Sequence, residues 1–204
     1  MNQDKGMLLV LTGASASGKD TVMHELLKQH PQYSRIVTTT TRPKRPIERE
    51  DIDYHFISKE KFLQMQKDGL FLETNFYADN YYGTTIDEVS KVLSGSQIIW
   101  RIDPERSLNI NQIIQDAFDK ETAKALLDRM LVIYLDVPDK ETLKKRLMGR
   151  GDEVKDLESR LEFDWKSREE TKDKFEYVVV NEEGRLDETL EKVIGIINKF
   201  LGQD

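Results

Sequence analysis

The feature that most limits the possible folds is a glycine-rich loop between an apolar run and a helix. Residues 7–11 read MLLVL, and residues 13–21 read GASASGKDT. A short apolar run bounded by turn residues is typical of a buried strand. The motif Gly13-x-x-x-x-Gly18-Lys19, placed after a strand and at the start of a helix, is typical of a phosphate-binding loop. The sequence therefore predicts an α/β protein that binds a nucleotide at this loop.

The loop offers ligands for the phosphates of ATP. Backbone N–H groups and the partial positive charge of the helix N-terminus favour phosphate oxygens, and Lys19 adds a full charge for the β and γ oxygens. The predicted ATP-binding residues are Gly13, Ala14, Ser15, Ala16, Ser17, Gly18, Lys19, Asp20 and Thr21.

Asp20 stands where such a loop normally has a hydroxyl that touches Mg²⁺. A carboxylate is a hard oxygen ligand suited to Mg²⁺, and it also stabilises a helix N-terminus, by about 0.3–1 kcal/mol. Both interpretations stay open. Asp20 and Thr21 are the candidate metal ligands.

Apolar runs alternate with helical segments along the rest of the 204-residue chain. This alternation predicts a parallel sheet covered by helices on both faces. The predicted strands are Met7–Leu11, Arg35–Thr38, Ile98–Ile102, Leu131–Val137 and Tyr177–Val180. The predicted helices are Lys19–Gln29, Lys59–Asp68, Asp87–Leu93, Lys140–Met148, Asp152–Lys174 and Asp187–Leu201, with a mostly helical stretch at Glu105–Arg129. The mixed segment between Arg35 and Ser94 is predicted to be an inserted lobe.

Composition excludes several classes of function. The net charge of −7 argues against a general nucleic-acid binder. Disulfides and thiolate zinc sites are impossible because the sequence has no cysteine. The apolar run near the start is too short for a signal-peptide core or a membrane span, so we expect a cytoplasmic protein without membrane contact.

Two further stretches carry a more specific pattern. Residues 38–56 read TTTTRPKRPIEREDIDYHF, and residues 71–85 read FLETNFYADNYYGTT. Behind a phosphate-binding loop, these stretches resemble the guanylate kinase family. The resemblance continues in LDVPDKETLKKRLMGRG at 135–151 and YVVVNEEGRLDETL at 177–190, and so covers nearly the whole chain.

The resemblance implies a P-loop three-layer fold that carries out ATP-dependent phosphorylation of GMP and dGMP, with Mg²⁺ and a closing arginine lid. It implies one domain over residues 1–204. The core would comprise 1–34, 95–145 and 175–204, the lobe that binds the nucleoside monophosphate would be 35–94, and the helical lid would be 146–174. The expected partners are the small-molecule substrates, and the expected state is a monomer or homodimer.

Site residues follow from the same resemblance. The GMP-binding residues it implies are Thr38, Arg42, Arg45, Tyr54, Glu73, Tyr82, Thr84 and Asp103. The catalytic residues it implies are Lys19, Arg42, Arg146, Arg150 and Arg160. Arginine pairs suit the dianionic acceptor phosphate, and a carboxylate at Glu73 suits the N1–H and 2-amino donors of guanine.

The sequence departs from the family pattern in WRIDPERS, residues 100–107. The family usually has two acids around one apolar residue, followed by Gln-Gly. Arg101 replaces the first acid, and Glu105 and Arg106 replace Gln-Gly. We hypothesise that the acid lost at Arg101 reappears at Asp20.

A second departure is the length of Pro104–Met130. This segment is longer than its family counterpart by roughly ten residues, a change that loops tolerate well. It is expected to form a dimer contact, a partner site or an enlarged substrate wall.

Two other functions stay open. One is a related P-loop kinase acting on another phosphorylated acceptor, because the Lys19-Asp20 pair also resembles the ribose 1,5-bisphosphate kinase family. The other is a guanylate-kinase-like module that binds a protein partner and has lost catalysis. Such a module has little reason to keep Lys19 or the lid arginines.

Overall fold

The structure, a computed structural model, describes residues 6–149 and 154–202 and, within the second range, the side chains from residue 157 onward. Arg150, one of the predicted lid arginines, lies outside the described residues. The strands are β1 (Met7–Thr12), β2 (Tyr33–Arg35), β3 (Thr39–Thr40), β4 (His55–Phe56), β5 (Phe71–Tyr77), β6 (Asn80–Thr85), β7 (Gln97–Arg101), β8 (Met130–Asp136) and β9 (Tyr177–Val180). The α-helices are α1 (Lys19–Gln29), α2 (Lys59–Lys67), α3 (Ile86–Ser90), α4 (Pro104–Leu108), α5 (Ile110–Ala117), α6 (Lys120–Leu127), α7 (Lys140–Met148), α8 (Val154–Thr171) and α9 (Leu186–Leu201).

The main sheet of the described residues has the order β2-β7-β1-β8-β9 and is parallel throughout. Its central strand β1 is buried along its whole length. Met7, Leu9 and Leu11 pack in one core with α1 and α9, whereas Leu8 and Val10 pack in a second core with α3, α5 and α6. Both faces of the sheet are therefore covered by helices, and the predicted α/β three-layer fold is confirmed.

A second, smaller sheet lies between residues 39 and 85, in the order β4-β3-β6-β5. Strands β5 and β6 form an antiparallel hairpin that places Glu73 opposite Thr84. Ala78 and Asp79 turn the hairpin with φ angles of 46° and 60°. Two-residue hairpin turns need positive φ and usually use Asn-Gly or Asp-Gly. Ala-Asp is an unusual choice for such a turn, so the hairpin has no clear signal in the sequence.

The strand predicted at Arg35–Thr38 instead spans Tyr33–Arg35, and residues 36–38 cross from one sheet to the other. The N–H of Ile36 donates to the carbonyl of Ile99 in the main sheet, at 3.0 Å. The N–H of Val37 donates instead to the buried carboxylate of Glu88, also at 3.0 Å. Ile36, Val37 and Thr38 are β-branched and therefore favour a strand, but at Val37 a side-chain carboxylate takes the place of a neighbouring strand as the hydrogen-bond acceptor.

Helix boundaries differ from the sequence prediction where polar caps divide longer runs. The stretch predicted as mostly helical at Glu105–Arg129 forms three helices, and the Asp119 carboxylate starts the last of them by accepting from two backbone N–H groups. The predicted helix Asp87–Leu93 leaves α geometry after Ser90 and continues as a 3-10 turn to Ser94. Among the described residues, no helix combines the length and apolarity that crossing a bilayer requires.

A buried ion pair joins α8 to the end of β8. Nε and Nη2 of Arg168 lie 2.5 and 2.7 Å from the two carboxylate oxygens of Asp136. The side chains are only 9% and 5% exposed. The Trp165 ring covers the guanidinium, with its centroid 4.4 Å from Cζ. This pair fixes the C-terminal part of α8 to the carboxyl edge of the main sheet.

We expect Arg168→Ala to lower the free energy of unfolding by about 3–5 kcal/mol, because it leaves a buried carboxylate without its counter-charge. Urea denaturation measures the change. Lys140→Ala is the matched control: its ion pair with Glu162, at 2.6 Å, is exposed, and such pairs contribute at most about 1 kcal/mol. Equal losses in the two variants would contradict the assignment.

Candidate active site

The glycine-rich loop is closed against strand β8 and against the residue that follows β9. Gly13 has a φ of 139° and Gly18 a φ of 97°, conformations that residues with a side chain rarely adopt. A Cβ at Gly13 would lie 2.1 Å from the carbonyl oxygen of Leu135, and one at Gly18 would lie 2.1 Å from Nδ2 of Asn181. Only glycine permits this approach, so backbone packing sets the shape of the loop.

The ammonium group of Lys19 spans the loop. Its Nζ donates to the carbonyl oxygens of Gly13 and Ala14, at 2.7 Å each. Lys19 is the first residue of α1, so the helix fixes one end of the side chain and the loop fixes the other. A bound triphosphate can exchange phosphate oxygens for these carbonyls at the same ammonium, and this fits the residues to ATP.

Two of the predicted lid arginines contact the loop. Nη1 of Arg146 donates to the carbonyl of Ser17 at 3.3 Å, and Nη2 donates to the carbonyl of Asn181 at 2.8 Å. Nη2 of Arg160, on α8, lies 3.3 Å from Oγ of Ser15. The two guanidinium groups therefore lie beside the loop that would hold the phosphates.

Asn181 has a part in the site that the sequence analysis missed. It follows β9 directly and is buried, and its Nδ2 donates to the carbonyl of Ser17 at 2.9 Å. Thr189 in α9 donates to its Oδ1 at 3.2 Å. The position of Asn181 directly after the last predicted strand was the available signal. Ligands of open α/β sheets bind outside the carboxyl ends of the strands.

A second cluster gathers residues predicted to hold the acceptor phosphate. The guanidinium of Arg42 lies 5.3 Å from the ring centroid of Tyr54, and the rings of Tyr54 and Tyr82 are 6.3 Å apart. Glu48, which had no predicted role, accepts from both terminal nitrogens of Arg42, at 3.0 and 2.7 Å, and from the backbone N–H of Arg45 at 2.8 Å. The Arg42 guanidinium holds the pKa of the Glu48 carboxyl below its usual value. The side chain of Arg45 is exposed at the edge of this cluster.

The residues predicted for the base lie around the β5–β6 hairpin. Glu73 faces Thr84 across the hairpin, and Thr38 lines the same cleft. Nη1 of Arg106 lies 3.0 Å from Oε2 of Glu73, close enough for an ion pair but without the angle of a directed hydrogen bond. Burial raises the pKa of the Glu73 carboxyl, and the charge of Arg106 opposes this shift.

Asp103, one of the predicted GMP-binding residues, also caps a helix. Its Oδ1 accepts from the N–H of Arg106 at 2.9 Å and so caps α4. Its Oδ2 lies 3.9 Å from Nε of the same arginine. The acid retained from the family pattern thus fixes the start of the helix that carries Arg106.

The two unusual residues Asp20 and Arg101 contact each other. Nη1 of Arg101 lies 2.6 Å from Oδ1 of Asp20, and both side chains are about half exposed, at 43% and 51%. The new acid is thus paired with the new base, and the hypothesis that Asp20 replaces the acid lost at Arg101 stays a prediction. Asp20 and Thr21, which is exposed, remain the predicted metal ligands.

One open cleft of about 860 Å³ connects the glycine-rich loop with the residues predicted for the base. It is lined by the loop, the hairpin and α4, the first part of the long segment Pro104–Met130. Its lining includes Gly13, Lys19, Thr38, Glu73, Tyr82 and Asp103. Lys19 and the predicted base-binding residues thus share a single space, and the extended segment contributes to its wall. Tyr54 lines a smaller neighbouring pocket together with Asp20 and Arg101.

The chain is similar to known proteins in sequence and in fold. The family model described as Guanylate kinase matches residues 5–200. The chain is 33% identical over 197 residues to the guanylate kinase of Synechococcus sp. strain JA-3-3Ab, covering 95% of this chain and 82% of that protein. It is 31% identical over 198 residues to the guanylate kinase of Oceanobacillus iheyensis, covering 97% and 89%.

Among solved structures, the crystal structure of guanylate kinase from Anaplasma phagocytophilum matches with a TM-score of 0.67. The match covers 96% of this chain and 86% of that chain at 22% identity. At this identity the likeness bears on the fold alone.

We expect Gly13→Ala to lower the free energy of unfolding by at least about 2 kcal/mol more than Gly69→Ala does, because its new Cβ meets a backbone oxygen that cannot move aside. Gly69 is the matched control. Its φ of 70° is also positive, but a Cβ there would have no atom within 4 Å, so its cost is backbone strain of about 1–3 kcal/mol. Calorimetric thermal unfolding measures both, and equal costs would contradict the close approach.

Proposed function

The chain belongs to the guanylate kinase family, and from this membership we propose that it phosphorylates GMP and dGMP to the diphosphates with ATP as donor. It is thus a nucleoside monophosphate kinase whose substrates are small molecules. The observation that supports this best is the shared cleft, which Lys19 lines on one side and Glu73 and Tyr82 line on the other.

Phosphoryl transfer relies on positioned charge. ATP supplies the transferred phosphoryl group, and Mg²⁺ offsets phosphate charge when bound. Lys19 would hold the β and γ oxygens, while Arg42, Arg45, Tyr54 and Tyr82 would hold the acceptor phosphate in line. The two terminal nitrogens of Arg42 already donate to the two oxygens of the Glu48 carboxylate. A phosphate can accept from an arginine in the same bidentate way.

The lid arginines would stabilise the transition state, whose negative charge is spread over the oxygens of the moving group. Arg146 and Arg160 already contact the loop. An arginine in this role contributes about 10³–10⁵ in rate. The division into a core, a lobe at 35–94 and a lid at 146–174 remains part of the proposal, as does a cytoplasmic location.

Base selection would rest on the hairpin. Glu73 accepts from the N1–H and 2-amino groups of guanine, and adenine presents an acceptor at N1 instead. Thr38 and Thr84 would complete the pocket. A site built of buried polar groups rejects a ligand that lacks their partners by about 10⁴–10⁵-fold. A sugar bisphosphate acceptor offers no base for these residues, so GMP is the favoured acceptor.

We expect ADP formation from ATP and Mg²⁺ with GMP and dGMP, and a kcat/KM for AMP at least about 10⁴-fold lower. A coupled assay offers GMP, dGMP, AMP, UMP, CMP and ribose 1,5-bisphosphate in turn. Lys19→Ala should abolish turnover. Lys28→Ala, at the exposed end of the same helix, should leave it unchanged.

Two results of this assay would refute the proposal. ADP from another acceptor but not from GMP would identify a different kinase. ADP from none of them would favour a module that binds a protein partner.

We expect changes at the Asp20–Arg101 pair to alter the requirement for Mg²⁺ in opposite directions. Asp20→Ser removes a carboxylate ligand and should raise the Mg²⁺ concentration for half-maximal turnover. Arg101→Met leaves Asp20 in place without its competing cation and should lower that concentration, by up to about fivefold for an exposed pair. Titration of Mg²⁺ at saturating nucleotide measures both. Unchanged values in both variants would exclude Asp20 as a ligand.

A further inference from the structure

Arg106 lies deep enough in the cleft to meet the same ligand as Glu73. The two side chains are 26% and 11% exposed, and they form an ion pair at 3.0 Å. Both line the cleft that also holds Thr38 and Thr84. Neither motif spacing nor the resemblance assigns Arg106 a role in binding.

The local backbone restrains where the Arg106 side chain can go. Asp103 caps α4 through the N–H of Arg106, and Pro104 begins the same helix. A capped helix start with a proline in the first turn has little freedom to move. The Arg106 side chain therefore extends into the cleft from a fixed backbone position beside the hairpin.

The order of donors and acceptors along guanine matches this pair. From the 2-amino group to N7, guanine presents donor, donor, acceptor and acceptor. Glu73 offers two acceptor oxygens, and the guanidinium of Arg106 offers a planar fork of donors. In nucleic-acid recognition, a bidentate arginine on O6 and N7 is the commonest specific contact to guanine.

We propose that Arg106 is a specificity-determining residue that donates to O6 and N7 of the bound base, beside Glu73. This inference rests on the proposed function, because it takes guanine as the base that enters the cleft. It extends the reading of the base to N7, for which the resemblance implied no partner.

The pair explains two properties of the pocket. Guanine recognition requires the Glu73 carboxylate in its ionised form. Burial raises the pKa of this carboxyl, and Arg106 opposes the shift. Adenine is rejected twice, since its N1 acceptor faces Glu73 and its 6-amino donors face Arg106.

The test compares GMP with 7-deaza-GMP, in which a C–H replaces N7. Binding to the full-length protein is measured by calorimetry without ATP, so that the result does not depend on turnover. We expect the native protein to bind 7-deaza-GMP about tenfold more weakly, the effect of losing one hydrogen bond from a charged donor. Arg106→Ala should bind GMP about 5- to 150-fold more weakly than the native protein, and it should bind GMP and 7-deaza-GMP equally.

Lys124→Ala is the matched control, because it removes one exposed positive charge from the same extended segment at α6. This variant should bind GMP as tightly as the native protein does, and it should still bind 7-deaza-GMP about tenfold more weakly than GMP. The comparison on native protein alone tests the idea even if Arg106→Ala does not fold. Equal binding of the two ligands by native protein would overturn it.

Two further outcomes are decisive. Tighter GMP binding by Arg106→Ala would show that Arg106 blocks Glu73 and does not read the base, which overturns the inference while the proposed function stands. If the native protein does not bind GMP, the proposed function and the inference are overturned together, whatever the variant does.

Discussion

The site depends on the close approach of the glycine-rich loop to the edge of the parallel sheet. Because Gly13 lies against the carbonyl of Leu135, the loop is held at the carboxyl end of β1, between β7 and β8. The chain leaves β7 at Ile102 and Asp103, and it leaves β9 at Asn181, at the same edge. Ligands of open α/β sheets bind outside this edge. A buried central strand therefore gathers residues from across the sequence at one place.

Three pairs of opposite charges lie at the candidate site. Arg42 is paired with Glu48, Asp20 with Arg101, and Glu73 with Arg106. The carbonyls of the loop hold Lys19 in a similar way. A ligand that contacts these residues exchanges one set of partners for another. Ligand binding then gains little from charge alone, and selectivity comes from how well the geometry of the ligand matches these partners.

The sequence predicted the groups whose chemistry is local and missed those whose role depends on distant partners. The loop, helix α1 and the order of strands and helices followed from spacing and apolar runs. Asn181 and Glu48 were missed because their importance arises from contacts with Ser17 and Arg42. The hairpin turn was missed because Ala78 and Asp79 adopt positive φ without the usual Gly or Asn.

The two departures at Arg101 and Arg106 show why substitutions are poorly interpreted one at a time. Taken alone, Arg101 and Arg106 place positive charge where the family pattern has an acid and a glycine, which suggests a damaged acceptor site. In the structure each arginine meets an acid: Arg101 meets the new carboxylate of Asp20, and Arg106 meets Glu73. One arginine thus points towards the loop and the other towards the hairpin. The segment at the end of β7 thus carries two positive charges, Arg101 and Arg106, beside two negative charges, Asp103 and Glu105. Arg106 adds hydrogen-bond donors on the side where the base would lie.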